Sequence, residues 1–553
     1  DNIVLKALRK ERERRYGSAD RLAQDIRRHF AGLPVTARPD TVIYRCRKFL
    51  HRHAAGAAAS GVLFVAAVAV AGIHTARIQR ERDRAQAETA RAEQVTQFLA
   101  DLFRSADPRE AMGVELTRRE LLQRGVEQAN RELAGQPEIQ ADILEVLGRT
   151  YMEIGAYDEA ERLLTRIFEQ HRRRLGPGHA EVAETLGDLG LLDFYRGEYE
   201  QARERLGKAA GALEASLGGG APELATVLRN LGRVHRHLGE FKKSEAALER
   251  ALAIQRRASG ENSEPVASIL YDMGALMAET GALERSAAVY ERALAIYERE
   301  LPAGHPQIGS TLMYLAIVRQ TQGEREGLEA MYRRALAILR DAYGPDHAWV
   351  ATALNNMGHF LTESGRTDEA VEVLQRSLEV YSRALGADHP QVSYPLVTLG
   401  DAHFAPGHFR EARRYYQQAV TVREKTLGTR PFDPILVHSL VRLGRIEAEL
   451  GNGVTAEQTL DRAQAMWRHA PEATDPQLAP TLLDLSRWLI EQERCTDAVP
   501  LLRRALRLQA AQQLTSSPEA AELAVLTSRC PEEQPHPVEP NGDDILQVST
   551  SLE

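Results

Sequence analysis

The sequence predicts an all-α solenoid of about nine helical hairpins, preceded by one transmembrane helix. Three observations support this fold class: a composition rich in Ala, Leu, Arg and Glu, a repeat of 42 residues, and one long uncharged stretch ahead of the repeats. Such a composition is typical of long helical proteins. A repeat of this length is typical of a solenoid, whose units stack because none of them can bury its apolar face alone.

The repeat is seen most directly in a column of glycines. Seven glycines follow each other at intervals of 42 residues, and the column continues to Gly451 after 44 residues and to Glu493 after another 42. The seven are Gly155, Gly197, Gly239, Gly281, Gly323, Gly365 and Gly407. A small residue usually follows five positions later, as in Ala160 and Ala202. We predict two antiparallel helices per unit, with the glycine in the turn between them and the small residue where the helices approach closely.

These columns resemble the tetratricopeptide repeat. The length of 42 residues and the loop between units, which reads LGPGHAEV from Leu175 to Val182, are similar to the kinesin-light-chain subtype. The resemblance covers residues 137–512 and is specific, because several columns agree in register over nine units. It implies a concave groove, lined by the first helix of each unit, that binds an extended or acidic peptide through Arg and Asn side chains.

The first helices of the third and sixth units carry polar residues that share a helix face by their spacing. These groove candidates are Arg229, Arg233, Arg236, His237, Asn355 and His359. A row of arginines could grip carboxylates in a bidentate manner. The alternative is an ordinary exposed face whose arginines pair with neighbouring glutamates such as Glu240 and Glu245.

No metal site is predicted. His179, His305, His347 and His389 occupy one column of the loops, but they belong to different units and should be spread along the solenoid, so we expect them to stabilise the turns instead. The three cysteines, Cys46, Cys495 and Cys530, show no paired spacing and therefore indicate neither a zinc site nor a disulfide framework.

Residues 54–73 are twenty positions without a charge, of which nine are Ala and four are Val. This is the length that crosses a hydrocarbon core, although alanine contributes little to insertion. Basic residues flank both ends, and those before the stretch have no acid among them, which favours a cytoplasmic N-terminus and extracytoplasmic repeats. We therefore predict a single-pass protein of the bacterial inner membrane, the alternative being a buried alanine-rich helix in a free cytosolic scaffold.

Residues 74–136 follow as a charged helical connector. Val95, Phe98, Leu99 and Leu102 lie at helical spacing near the end of its first helix. They could form a stalk with a dimer seam, or they could pack the connector on the first repeat, which we favour.

The segment before the uncharged stretch is strongly basic, with fourteen Lys or Arg against six Asp or Glu in residues 1–53. Ser18 is a plausible helix N-cap and Gly32 a plausible stop. The pattern over residues 1–37, including Arg14-Arg15-Tyr16, resembles the last two helices of a bacterial serine/threonine protein kinase domain, and residues 38–53 resemble the juxtamembrane linker of such kinases. In that family the arginine that matches Arg15 pairs with an earlier glutamate, which is absent here, and Arg12 replaces the usual proline.

The chain itself is predicted to have no catalytic site and no cofactor. Phosphoryl transfer requires a glycine-rich phosphate cover, a lysine and two aspartates, and no such set occurs in kinase context; ATP and Mg would belong to a missing kinase portion of the parent protein. We expect a signalling scaffold that binds a protein or peptide and no nucleic acid, because the chain is acidic overall with a formal net charge of -8. Residues 513–553, with six acids and no base after residue 530, are expected to be a disordered tail.

Overall fold

The computed structural model describes residues 2–39, 41–104, 117–427, 432–469, 479–511 and 525–526. The chain divides into two compact units, Asp1–Ile143 and Leu144–Glu553, and the division falls within one helix. Every regular element of the described residues is helical, as the sequence predicts.

The first unit contains five complete helices and one short 3-10 turn, η1 (Arg12–Arg14). The helices are α1 (Asn2–Ala7), α2 (Ala19–Phe30), α3 (Val42–Arg52), α4 (Ala54–Arg104) and α5 (Arg118–Glu132). The predicted signals of α2 are confirmed: the Ser18 hydroxyl accepts a hydrogen bond from the backbone N–H of Arg21 at 3.4 Å, and Gly32 follows the helix with a φ of +70°.

Asp25 anchors the segment around α2. Its carboxylate, only 1% exposed, accepts hydrogen bonds from the Tyr16 hydroxyl at 2.8 Å and from the backbone N–H of Thr36 at 2.8 Å. Few apolar side chains here are buried, and Leu8 and Phe30 are 74% and 85% exposed. Polar contacts rather than an apolar core therefore hold α2 in place.

The prediction that residues 54–73 form a transmembrane helix is wrong. Residues 54–73 do lie in one uninterrupted helix, α4, but none of the helices among the described residues is both long and apolar enough to cross a bilayer. The physical reason is the side chains: nine of the twenty are Ala and three are Gly, which add little transfer free energy, and α4 continues directly into a charged stretch. The assignment to a single-pass inner-membrane protein is wrong with it.

The end of α4 packs within its own unit. Phe98 and Leu102 are buried, with Leu102 only 1% exposed, and Arg91 forms an ion pair with Asp142. Because these apolar side chains are already buried within one chain, they do not offer an exposed apolar surface to a second copy. These contacts therefore do not support the predicted dimer through the stalk.

The second unit is a run of helix pairs. In the described residues each of nine predicted repeats has a first helix, here called an A helix, and a second helix, here called a B helix. The pairs are α6 (Pro137–Glu153) with α7 (Tyr157–Leu175), α8 (Ala180–Arg196) with α9 (Tyr199–Leu217), α10 (Pro222–His237) with α11 (Phe241–Ser259), α12 (Glu264–Glu279) with α13 (Leu283–Glu300), α14 (Pro306–Thr321) with α15 (Leu328–Tyr343), α16 (Ala348–Glu363) with α17 (Thr367–Leu385), α18 (Ser393–Phe404) with α19 (Phe409–Leu427), α20 (Pro434–Glu449) with α21 (Gly453–Trp467), and α22 (Ala479–Glu491) with α23 (Cys495–Ala511). A 3-10 turn, η2 (Pro390–Val392), precedes α18.

Two kinds of glycine explain the hairpin. The column at the turn, such as Gly365 with a φ of +72°, adopts the left-handed conformation that ends the A helix. Glu493 in the same column also has a positive φ of 58°. A second column allows the two helices to touch, since a Cβ added to Gly358 would lie 2.5 Å from the Leu374 side chain. Both columns therefore have a structural reason for lacking a side chain.

The C-terminal end gives one correction. Cys495, at the start of α23, is disulfide-bonded, whereas the sequence indicated no disulfide. Its distance along the chain from the other cysteines concealed the pairing, because a bond depends on spatial approach rather than on spacing. Cys46 is a free, exposed thiol. The predicted tail, residues 513–553, lies outside the described residues apart from 525–526.

Candidate functional site

The A helices form a continuous layer. From α8 to α22, each A helix contacts the A helix of the next repeat as well as its own B helix. Within the described residues, successive B helices make no contacts of that extent. The solenoid therefore curves with its A helices on the inner side, and we call the surface that they line the A-helix groove.

The predicted arginines lie on α10 in this groove, and all three are paired with acids of the next A helix, α12. Arg229 Nε lies 2.5 Å from Asp272 Oδ2, and Arg233 Nε lies 3.9 Å from Asp272 Oδ1. Arg236 forms an ion pair with Glu279. We call Arg229, Arg233 and Arg236 the basic set. Its partners are neither Glu240 nor Glu245, which the sequence offered as the alternative.

Burial makes these pairs structural. The Asp272 side chain is only 9% exposed, and those of Arg233 and Arg236 are 20% and 17% exposed. Burial alone would lower the pKa of Arg229, but the neighbouring Asp272 carboxylate outweighs it and raises the pKa. The positive charges of the basic set are therefore neutralised mainly by acids of repeat 4. These ion pairs join repeats 3 and 4 and leave the arginines poorly placed to bind an acidic ligand.

His237 belongs to a cluster of aromatic rings. Its ring stacks on Tyr199 with centroids 5.0 Å apart, and Phe194 meets it edge-on at the same distance. Burial, together with the charges of Arg236 and Arg233, lowers its pKa to about 4. His237 is therefore neutral at pH 7 and packs as an aromatic residue.

The predicted residues of the sixth repeat lie on α16, on the same inner layer. The Asn355 Oδ1 atom accepts a hydrogen bond from the Thr398 hydroxyl of α18 at 3.2 Å. The amide nitrogen of Asn355 and the whole side chain of its neighbour Asn356 have no hydrogen-bond partner among the described residues, although both side chains are half-buried. We call Asn355 and Asn356 the amide pair. His359 is exposed and its ring lies 3.0 Å from the Gln320 amide nitrogen.

The basic set and the amide pair are separate sites. Two A helices, α12 and α14, lie between α10 and α16 in the stack. The structure therefore brings Arg229 together with Arg233 and Arg236, and Asn355 together with His359, but it does not unite the two groups.

Sequence reasoning missed the acids that join the A helices. Asp188, Asp272 and Asp484 occupy one column of the repeat. Each of them forms an ion pair with an arginine of the preceding A helix. Arg149 lies 2.9 Å from Asp188, and Arg442 lies 2.7 Å from Asp484. Near Asp188, burial and the proximity of that carboxylate raise the pKa of Glu145 to about 8. The signal in the sequence is that each of these aspartates lies nine residues before the turn position of its repeat.

The loop histidines act as helix caps. The Nδ1 atoms of His179, His305, His347 and His389 accept hydrogen bonds from the backbone N–H two residues later, at 3.3, 3.3, 3.1 and 3.3 Å. Asp433 fills the same column and caps α20 through the backbone N–H of Leu436 at 2.8 Å. This column holds the first turn of the A helix, which agrees with the expected role in stabilising the turn. Among the described residues no three His, Cys, Asp or Glu side chains are placed to hold a metal ion.

Comparisons with known proteins match this architecture. Models described as tetratricopeptide repeat match residues 139–215, 223–299, 307–359, 349–425 and 436–511, and a further model of the same description matches residues 397–471. A search of curated proteins gave no match.

Several solved structures resemble the chain. BtubC (BKLC) from P. vanneervenii is 23% identical with a TM-score of 0.34, covering 40% of this chain and 90% of its own. A putative kinesin light chain from Podosopora anserina with nearly identical TPR-like repeats is 21% identical with a TM-score of 0.31, covering 36% and 93%. Rap protein complexed with competence and sporulation factor is 15% identical with a TM-score of 0.43, covering 64% and 100%.

The family models together match more than half of the chain, from residue 139 to residue 511. The fold that they describe is a stack of helical hairpins, which presents an extended surface. The chain belongs to the tetratricopeptide repeat family.

Proposed function

We propose that this protein is an interaction scaffold that holds an extended peptide segment of a partner protein in the A-helix groove, with the amide pair as its principal contact. The observation that supports the proposal is the unused hydrogen-bonding capacity of Asn355 and Asn356 on the inner layer. A ligand that completes these hydrogen bonds gains affinity, because it does not have to break contacts that the amides make within the described chain.

The chemistry of the amide pair suits a peptide backbone. A carboxamide carries both a donor and an acceptor, and an extended peptide offers the same two groups at every residue. Tyr394 lies one helical turn from Thr398 on α18 and is 41% exposed, which provides apolar surface beside the amides. Tyrosine is one of the residues that are enriched in protein interfaces.

The basic set is the weaker candidate for the same role. Its guanidinium groups already contact the buried Asp272 and the more exposed Glu279, and an acidic peptide would have to displace both partners. We therefore assign the basic set to repeat stacking and the amide pair to recognition.

Affinity capture from a lysate with the full chain as bait tests the proposal. The double variant Asn355→Ala/Asn356→Ala should lose at least about tenfold of the bound partner, equivalent to about 1.4 kcal/mol. Its matched control is Glu372→Ala/Gln375→Ala, which removes two exposed polar side chains from the B helix of the same repeat. Equal capture by both variants would contradict the proposal.

A second candidate concerns the parent protein. Residues 1–37 carry the resemblance to the end of a serine/threonine kinase domain. The exposed apolar side chains of α1 and α2, such as Leu5 at 64% and Phe30 at 85%, are what a fragment of a larger domain would present. In that case the repeats would be the regulatory part of a signalling kinase. Reading the gene upstream tests this: a lysine and two aspartates in kinase context support the candidate, and their absence refutes it.

A further inference from the structure

A cleft lies on the B-helix side of the solenoid, away from the amide pair. It runs between α17 of repeat 6 and α19 of repeat 7 and has a volume of about 530 Å³. Its apolar floor is formed by Leu378, Val392, Leu396 and Val422, and the last three are at most 7% exposed. The volume falls in the range of pockets that bind small ligands or short peptide segments.

The cleft lies at an interface that lacks a bridge found between B helices elsewhere in the described solenoid. In three other repeat interfaces a glutamate of one B helix pairs with an arginine of the next: Glu214 with Arg250 at 2.7 Å, Glu298 with Arg334 at 2.7 Å, and Glu424 with Arg462 at 2.6 Å. The corresponding residues at this interface are Ser382 and Gln418. In every other interface the position of Gln418 is Arg or Lys.

The rim of the cleft carries polar groups that the chain does not use. The Gln417 and Gln418 side-chain amides have no hydrogen-bond partner among the described residues. Arg414 has no acidic partner there either, and its guanidinium lies over the Tyr415 ring, 4.8 Å from the centroid. An unpaired cation beside an apolar floor selects a ligand with an anionic group next to an apolar one.

We propose that this cleft is a second binding site, which takes a short peptide with an aliphatic side chain close to an acidic one. The aliphatic side chain packs on Leu378 and Leu396, the carboxylate pairs with Arg414, and the two glutamines bind the peptide backbone. This site is independent of the A-helix groove, since its lining residues belong to α17, the loop after it, η2, the start of α18 and α19, and do not include the amide pair.

The decisive variant restores the missing bridge. Ser382→Glu/Gln418→Arg places at this interface the pair that closes three others, so it should fill the mouth of the cleft while preserving the stacking. A second variant, Arg414→Glu, changes only the charge of an exposed side chain. Circular dichroism with thermal denaturation checks that both variants fold.

The probe is a pool of labelled nonapeptides with a fixed central Leu and a fixed Glu two positions away, measured against immobilised full chain. We expect the pool to bind the wild type at least tenfold more tightly than a matched pool with Lys in place of Glu. The bridge variant should lose at least tenfold of this binding, and Arg414→Glu should reverse the preference. The Asn355→Ala/Asn356→Ala variant should bind the pool like the wild type, which separates this site from the groove.

Three results would overturn the proposal. They are no retention of the Leu and Glu pool by the folded wild type, undiminished retention by the folded bridge variant, and an equal affinity for the Glu and Lys pools.

Discussion

Repeats 3 and 6 present the same helix face to the A-helix groove with opposite consequences. In repeat 3 the charged side chains of the basic set are covered by Asp272 and Glu279 of the next repeat. In repeat 6 the amide pair accepts a single hydrogen bond among the described residues, from the Thr398 hydroxyl, and its other amide groups make none there. The comparison shows that charged side chains in a solenoid groove can be neutralised by ion pairs between stacked repeats. The number of charged residues in a groove is therefore a poor measure of its capacity to bind a ligand.

The largest effect should come from removing the acid beneath the basic set. Asp272→Ala leaves Arg229 and Arg233 without a counterion in a half-buried place, and we expect a loss of about 3 kcal/mol in the free energy of unfolding. Chemical denaturation measures the loss. Glu279→Ala is the matched control, because that side chain is 44% exposed and should cost less than about 1 kcal/mol. Equal losses in the two variants would remove the distinction between stacking and surface pairs.

The pH dependence of His237 should give the next largest effect. Its pKa of about 4 in the folded chain lies below the ordinary 6.5, so the folded state resists protonation more than the unfolded state does. The neutral His237 ring therefore contributes to the stability of the folded wild type above pH 6.5. This contribution is lost as the pH falls toward 4. His237→Phe keeps an aromatic ring and abolishes the titration, so the variant should gain stability relative to the wild type as the pH falls from 7 to 4. Because the ring is exposed and solvent screens the neighbouring charges, this gain should be at most about 2 kcal/mol.

Thermal denaturation of both proteins at a series of pH values measures this difference. Other groups, such as Glu145 with its raised pKa, titrate in both proteins and cancel in the comparison. A difference in stability that does not vary with pH would show that His237 is not held neutral by its surroundings.

The smallest effect on stability belongs to the amide pair. Among the described residues, Asn355→Ala/Asn356→Ala removes one hydrogen bond, which Thr398 donates, so the variant should lose about 1 kcal/mol or less in denaturation experiments. The same variant should show the greatest loss of partner binding. A stability loss as large as that of Asp272→Ala would mean that the amides, too, are structural.

The sequence was sufficient for the repeats because their signals are local. The glycine column at Gly155 and its successors defines where each hairpin turns, and the structure places left-handed glycines there. The transmembrane helix was mispredicted because the length and charge of residues 54–73 suggested a span that their alanine-rich side chains are not apolar enough to support. Length alone does not supply transfer free energy.

The candidate site could be predicted only in part. Spacing along one helix correctly placed Arg229, Arg233 and Arg236 on one face, but their partners Asp272 and Glu279 lie 43 residues away on another helix. Which charges cancel depends on how neighbouring repeats stack, and a single helix does not carry that information. The role of His179 and its column as caps likewise became clear only from the direction of the ring nitrogens.

Amide hydrogen exchange of the full chain, with and without its captured partner, tests the account most directly. We predict that the partner slows exchange in residues 350–363 of α16 and 393–404 of α18, while residues 224–237 of α10 change little. Protection confined to α10 and α12, with none around Asn355 and Asn356, would contradict the assignment of recognition to the amide pair.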